Sequence, residues 1–199
     1  PRIQTLLTLF REKRLPVVFT EFLYYEKLPL LVGELHPEHR RARPGQARGF
    51  GLPGSSCLEG EENVKTVPEL SPRSDEPVIR KHWYDAFNGT PLDGALRARG
   101  VTSLVVTGTL TDICVLATVV GAFDREYKLT VVEDAVATLW PEIQQATLDI
   151  FRRAFARVVS AKQVADEIAL WDGASGRSAD KDEIREAAGR RECDAQTGI

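Results

Sequence analysis

Two residues in this chain have both the side-chain type and the local setting that nucleophilic chemistry asks for. Cys114 lies in Gly108-Thr109-Leu110-Thr111-Asp112-Ile113-Cys114-Val115, directly after the β-branched run Ser103-Leu104-Val105-Val106-Thr107. That order puts it in the first turn of a helix that starts at the end of a strand. A helix N-terminus offers unpaired backbone N–H groups and a partial positive charge. Both favour a thiolate over a thiol, and the thiolate is the nucleophilic form. The same N–H groups can hold the oxyanion that forms when a carbonyl is attacked. The competing reading is an inert cysteine packing the strand–helix junction, because free cysteines are commonly buried. Lys81 follows Pro77-Val78-Ile79-Arg80, at the mouth of another short strand. An ammonium there would stabilise a thiolate and negative charge developing in a transition state, although a solvated strand-end lysine is the commoner case.

The elements that must position this pair can be read from periodicity. Ile3, Leu6, Leu7 and Phe10 recur at helical spacing, which predicts an amphipathic helix over residues 1–13. Pro16-Val17-Val18-Phe19-Thr20 reads as a buried strand. Residues 21–77 are rich in Pro, Gly, Arg and Ser, and read as a long surface excursion of the kind that builds binding sites. Strands then follow at 78–80, 103–108, 129–132 and 158–159. Helices are expected at 92–99 (stopping at Gly100), from Thr111 as N-cap to about Tyr127, at 141–156 with Pro141 in the first turn, and through Ile168. Strands alternating with helices imply a mostly parallel sheet flanked by helices, with ligands beyond the carboxyl ends of the strands. Lys81 and Cys114 both lie just after a strand, so such a fold could bring them together. Residues 1–172 are expected to form one domain, and 173–199 a polar tail with a short helix near 182–188.

With their neighbours, the two residues form recognisable motifs. Lys81-His82-Trp83-Tyr84-Asp85-Ala86-Phe87 resembles the lysine loop of the isochorismatase-like cysteine hydrolases, a lysine followed by a short stretch ending in small-Ala-Phe. Residues 108–115 resemble that family's nucleophile loop, G-x-x-T-x-x-C-V, and residues 117–127 and 131–135 its next helix and strand. The resemblance spans about residues 1–170. It implies an α/β, Rossmann-like three-layer sandwich with a mostly parallel sheet of about six strands. It also implies an Asp–Lys–Cys triad in which Cys114 attacks a carbonyl to give a thioester-type intermediate that water releases, with Lys81 as charge-stabilising partner. A cis peptide joining Thr109 to Leu110 is implied too, as are the backbone N–H groups of Leu110 and Cys114 as oxyanion donors, no cofactor, and a homodimer or homotetramer. Trp83, Phe87 and Thr109 are candidate pocket residues. The family's aspartate belongs to a first, central strand ahead of the opening helix, and no residue here matches it; Asp85 and Asp112 stand at other positions. The chain has no methionine and opens at Pro1 inside a helical pattern, so that strand is expected upstream of Pro1. An intact mass equal to that of the 199 residues would dispose of this expectation.

Amide or carbamoyl C–N cleavage is expected ahead of vinyl-ether cleavage of isochorismate, because members doing the latter generally lack the cysteine. Nicotinamidase-like activity is the runner-up, and a non-catalytic member without the aspartate is a reading from another class. Glu34-Leu35-His36-Pro37 and His39 are similar to the metal-binding segment of nicotinamidases, but a further histidine is replaced within Gly54-Ser55-Ser56-Cys57, so no metal is expected. Gly49-Phe50-Gly51-Leu52-Pro53-Gly54 neither follows a strand nor opens a helix, which sets a dinucleotide site aside. A Cys–His dyad through His82 is a further alternative for the nucleophile, and Arg40-Arg41-Ala42-Arg43 reads as a solvated loop.

Composition bounds the rest. A hydrophobic share of 43% and a charged share of 28% over 199 residues suit a single soluble domain. The net charge of −3 gives no electrostatic case for nucleic acid. No apolar run approaches a membrane span, and no signal-peptide layout opens the chain. Three widely spaced cysteines, Cys57, Cys114 and Cys193, predict free thiols in a reducing, cytoplasmic setting. The expected partner is a small-molecule substrate.

Overall fold

A computed structural model of the chain describes residues 1–23 and 64–171. Helix α1 (Arg2–Glu12) opens the chain and β1 (Phe19–Phe22) follows it. After a 3-10 turn at Pro68–Leu70 come β2 (Val78–Lys81), α2 (Leu92–Arg97) and β3 (Ser103–Thr109). A π-helical turn, Thr111–Val115, runs directly into α3 (Leu116–Phe123). The chain then continues as β4 (Lys128–Ala137), α4 (Pro141–Ile150) with a π turn at Phe151–Phe155, β5 (Arg157–Val159) and α5 (Ala161–Leu170).

Every strand pairing among the described residues is parallel. β1 pairs with β2, and β3, β4 and β5 form a second ladder in that order. The described residues thus hold five strands in two ladders, where the sequence predicts about six in one sheet. Both faces are covered. On β4, Val131 packs into a core with Ile79, Phe87, Leu92, Leu96, Val119 and Phe151, whereas its neighbour Val132 packs with Leu6, Ala135, Ala161 and Val164. Successive strand residues point to opposite faces, so this alternation makes three layers: α2, α3 and α4 to one side, α1 and α5 to the other.

Most boundaries fall within a residue or two of expectation, and the exceptions have physical causes. The first strand is shifted from 16–20 to Phe19–Phe22 because its ladder is set by β2: Phe19 N donates to Pro77 O at 2.9 Å and Leu23 N to Lys81 O at 3.0 Å. Pro16 has no N–H to give, and the turn out of α1 runs through Arg14 at φ 55°. Glu21, assigned to the surface excursion, is instead a buried strand residue that accepts from Thr66 N at 2.9 Å. β4 is longer than 129–132. Glu133 and Asp134 break the apolar pattern without ending the strand, because the register against β3 shifts there and both carboxylates face partners. Glu133 meets Arg152 at 2.6 Å, and Asp134 takes the N–H of Ala161 at 2.6 Å and Arg2 at 3.1 Å. The helix predicted over 92–99 ends earlier, at Arg97, and the turn after it closes at Gly100, which stands at φ 67° where other residues would be strained.

α1 is held to the segment entering β2 by one half-sheltered ion pair. Arg11 donates to Glu76 through Nε and Nη2 at 2.7 Å each, and to Ser71 O at 3.0 Å. The hydrogen bond from Arg11 holds the Glu76 carboxyl below the ordinary glutamate value of 4.5. A depressed carboxyl adds stability above its unfolded value, and that stability is lost as pH falls through the folded value. Glu76→Gln is therefore expected to cost about 1 kcal/mol, or roughly 2–4 °C in Tm, at neutral pH. Thermal melts of the two proteins should converge as the pH drops below 4.5; equal Tm at neutral pH would remove this role.

Candidate active site

Lys81 ends β2. Ile79 and Lys81 are the buried positions of that strand and Val78 and Arg80 the exposed ones, so strand alternation alone points Lys81 inward beside Ile79. It is 3% exposed. A buried ammonium must find partners for its three donors. Nζ donates to Trp83 O at 3.0 Å and Tyr84 O at 2.8 Å, and the charge of Cys114 acts on it. The ring of Phe22, register partner of Lys81 across the β1–β2 ladder, lies 5.1 Å below it. Desolvation pulls the Lys81 pKa below its ordinary value, opposed by the negative charge and hydrogen bond of Cys114 and by the charge of Asp85.

Cys114 comes from the other ladder. β3 delivers the chain to the π turn Thr111–Val115, in which Leu110 O accepts from Ile113 N at 3.2 Å and Val115 N at 3.0 Å. The peptide Thr109–Leu110 is cis, and Gly108 just before it stands at φ 118°, open to glycine and strained for other residues. Cys114 is a free thiol, half-buried. Thr111, expected as N-cap, lies inside the helix instead. Leu110 holds the cap position without a side-chain bond, and Thr111 is fully buried with its hydroxyl unpartnered among the described residues.

The remaining candidates divide. Trp83 is 43% exposed and gives its carbonyl to Lys81. Thr109 is exposed and borders a cleft of about 450 Å³ between the start of α1, the 3-10 turn and the ends of β3 and β4; neither Lys81 nor Cys114 lines that cleft. Phe87, expected in the pocket, belongs to the core at 4% exposure, stacked 5.8 Å from Tyr127 with Arg125 4.9 Å from its ring. His82 Nδ1 lies 3.0 Å from Leu23 O. Glu34, His36, His39, Cys57, Cys193, the glycine-rich 49–54 stretch, the 40–43 arginines and the tail lie outside the described residues.

Three contributors escaped the sequence reading. Phe22 could not be found without the register of β1 on β2. Asp85 was set aside, yet its charge acts on Lys81, and its carboxylate accepts from Phe87 N at 2.8 Å. Thr118 hydrogen-bonds the lysine loop, and its position four residues after Cys114, on the same helix face, was the available signal.

This arrangement, a thiol at a helix entrance electrostatically coupled to a desolvated ammonium, is suited to nucleophilic attack on a carbonyl. The sequence profile of the Isochorismatase domain matches residues 1–163. The ureidoacrylate amidohydrolase RutB of Methylobacterium radiotolerans is 36% identical over 118 residues, covering 59% of this chain and 43% of that protein. The chain thus spans less than half the length of that relative. Among solved structures, N-carbamoylsarcosine amidase of Thermoplasma acidophilum superposes with a TM-score of 0.64 at 30% identity, covering 80% of each chain. A cysteine hydrolase of Pseudomonas syringae pv. phaseolicola superposes with a TM-score of 0.70 at 24% identity, covering 84% of this chain and 78% of that one, a likeness of fold. An isochorismatase family protein of Burkholderia thailandensis gives 0.66 at 28% identity over 84% and 81%.

Proposed function

From its place in the isochorismatase family, to which this chain belongs, we propose that it is a cysteine hydrolase that cleaves a C–N bond in a small amide or carbamoyl compound. One observation carries the reading: a lysine 3% exposed, with two donors on the carbonyls of Trp83 and Tyr84, lies where the charge of Cys114 acts on it. A cation held inside protein stabilises negative charge that develops beside it during a reaction.

In the proposed reaction the Cys114 sulfur attacks the carbonyl carbon. The oxyanion is met by the backbone N–H groups of Leu110 and Cys114, and the Lys81 ammonium offsets the charge as it passes from sulfur to oxygen. The C–N bond breaks, the nitrogen departs with the proton that the thiol gave up, and an S-acyl enzyme remains. Water then adds to the thioester carbonyl, the acid leaves, and the thiol is restored. Ureido and N-carbamoyl acids are the favoured substrate class, because the amidases named above act on such groups.

The test is ammonia release from a panel of N-carbamoyl amino acids, ureido acids, nicotinamide and simple amides. Hydroxylamine is added in parallel to trap the acyl group as a hydroxamate. Turnover confined to carbamoyl and ureido compounds, with hydroxamate formation, is the expected result. Turnover of nicotinamide alone would replace the substrate class. Binding without any turnover would make the chain a non-catalytic family member.

A further inference from the structure

We infer that Thr118 is a positioning residue for Lys81, clamping the lysine loop to the helix that carries Cys114; the inference rests on the cysteine–lysine reading above. Residues 82–89, between β2 and α2, form bends and turns with no strand or helix to fix them, yet two of their carbonyls hold the ammonium. A lysine has a long flexible stem and, given the chance, extends its charge to water. Its location inside the protein therefore depends on what fixes Trp83 O and Tyr84 O.

Thr118 does so from both sides. Its hydroxyl donates to Tyr84 O at 3.3 Å and accepts from Ala86 N at 3.1 Å. A hydroxyl can do both at once, and Tyr84 O, with two lone pairs, takes the Thr118 proton alongside the Lys81 donor at 2.8 Å. Three residues later on the same helix face, Gly121 lets the loop approach further: a Cβ there would stand 2.6 Å from Asp85 Oδ1. Cys114, Thr118 and Gly121 thus share one face at i, i+4 and i+7. The first meets the ammonium, the second the carbonyl that holds it, and the third the carboxylate whose charge acts on it. One rigid helix thereby fixes the distance between the lysine and the nucleophile.

The probe is iodoacetamide, with the alkylation rate followed on the Cys114 peptide by mass spectrometry so that Cys57 and Cys193 do not contribute. Native protein, Thr118→Val, Thr118→Ser, Lys81→Gln and the Thr118→Val/Lys81→Gln double variant are compared, with Thr118→Ala in place of valine should the latter fail to fold. Thr118→Val is expected to slow alkylation about tenfold, the size of one lost hydrogen bond, and Thr118→Ser to restore it. If Thr118 acts through Lys81, the double variant is no slower than Lys81→Gln alone. A native rate in Thr118→Val beside a slow Lys81→Gln, or additive losses in the double variant, would overturn the inference and leave the lysine reading standing. A native rate in Lys81→Gln would instead overturn that reading.

Discussion

Cys114→Ser is expected to lower kcat for C–N hydrolysis by about four orders of magnitude or more while leaving the protein folded, since a nucleophile is not replaced by its neighbours. Serine is the informative substitution here. Its hydroxyl keeps a polar atom on the side of the turn that faces the buried ammonium, whose other donors stay on Trp83 O and Tyr84 O. Alanine would remove that polar atom and mix a stability change into the kinetic one. The site is half-buried and the change nearly isosteric, so stability should move by about 1 kcal/mol or less. Steady-state ammonia release together with a urea melt separates the two quantities. Hydrolysis at the native rate in the serine variant would end the cysteine mechanism, whatever the geometry.

How much of this was legible beforehand depended on which interactions were local. The strand before Cys114 is written in the β-branched run Val105-Val106-Thr107, and the Lys81 parity follows from the two-residue period of Val78-Ile79-Arg80-Lys81. Residues whose role depends on packing between ladders were not legible. Phe87 reads as a pocket aromatic in sequence, but Tyr127 and Arg125 reach it from the far end of the nucleophile helix, and nothing in the lysine loop says so. Thr111 has the right residue type for a cap, yet the chain begins its helical turn one residue earlier and buries it. Asp85 does not stand at the family's aspartate position in the sequence, yet its charge acts on Lys81 and its carboxylate packs where a Cβ at Gly121 would stand 2.6 Å away.

Lys81→Met tests the other half of the pair and separates activity from stability by their opposite responses to pH. Methionine keeps an unbranched apolar stem against Phe22 and removes the charge. With no ammonium to balance the thiolate and oxyanion, kcat is expected to fall by about a hundredfold to a thousandfold, with KM changed much less. Desolvation is the largest influence on Lys81 and draws its folded pKa below 10.5, the value it has when unfolded. Between those two values the unfolded chain holds one more proton than the native one, so native stability rises with pH across that window. Below the window the cost of keeping a charge indoors is fully present; near its top that cost has gone. Activity runs the other way, because the ammonium it needs is lost over the same range, and its alkaline limb should lie below 10.5. Urea melts of native and Lys81→Met protein at a series of alkaline pH values give the difference directly, with titrations common to both cancelling. The native protein should gain on the variant as pH rises while losing kcat/KM. A flat or falling difference would mean that the lysine is not held as a desolvated cation, and the pairing with Cys114 would lose its electrostatic basis.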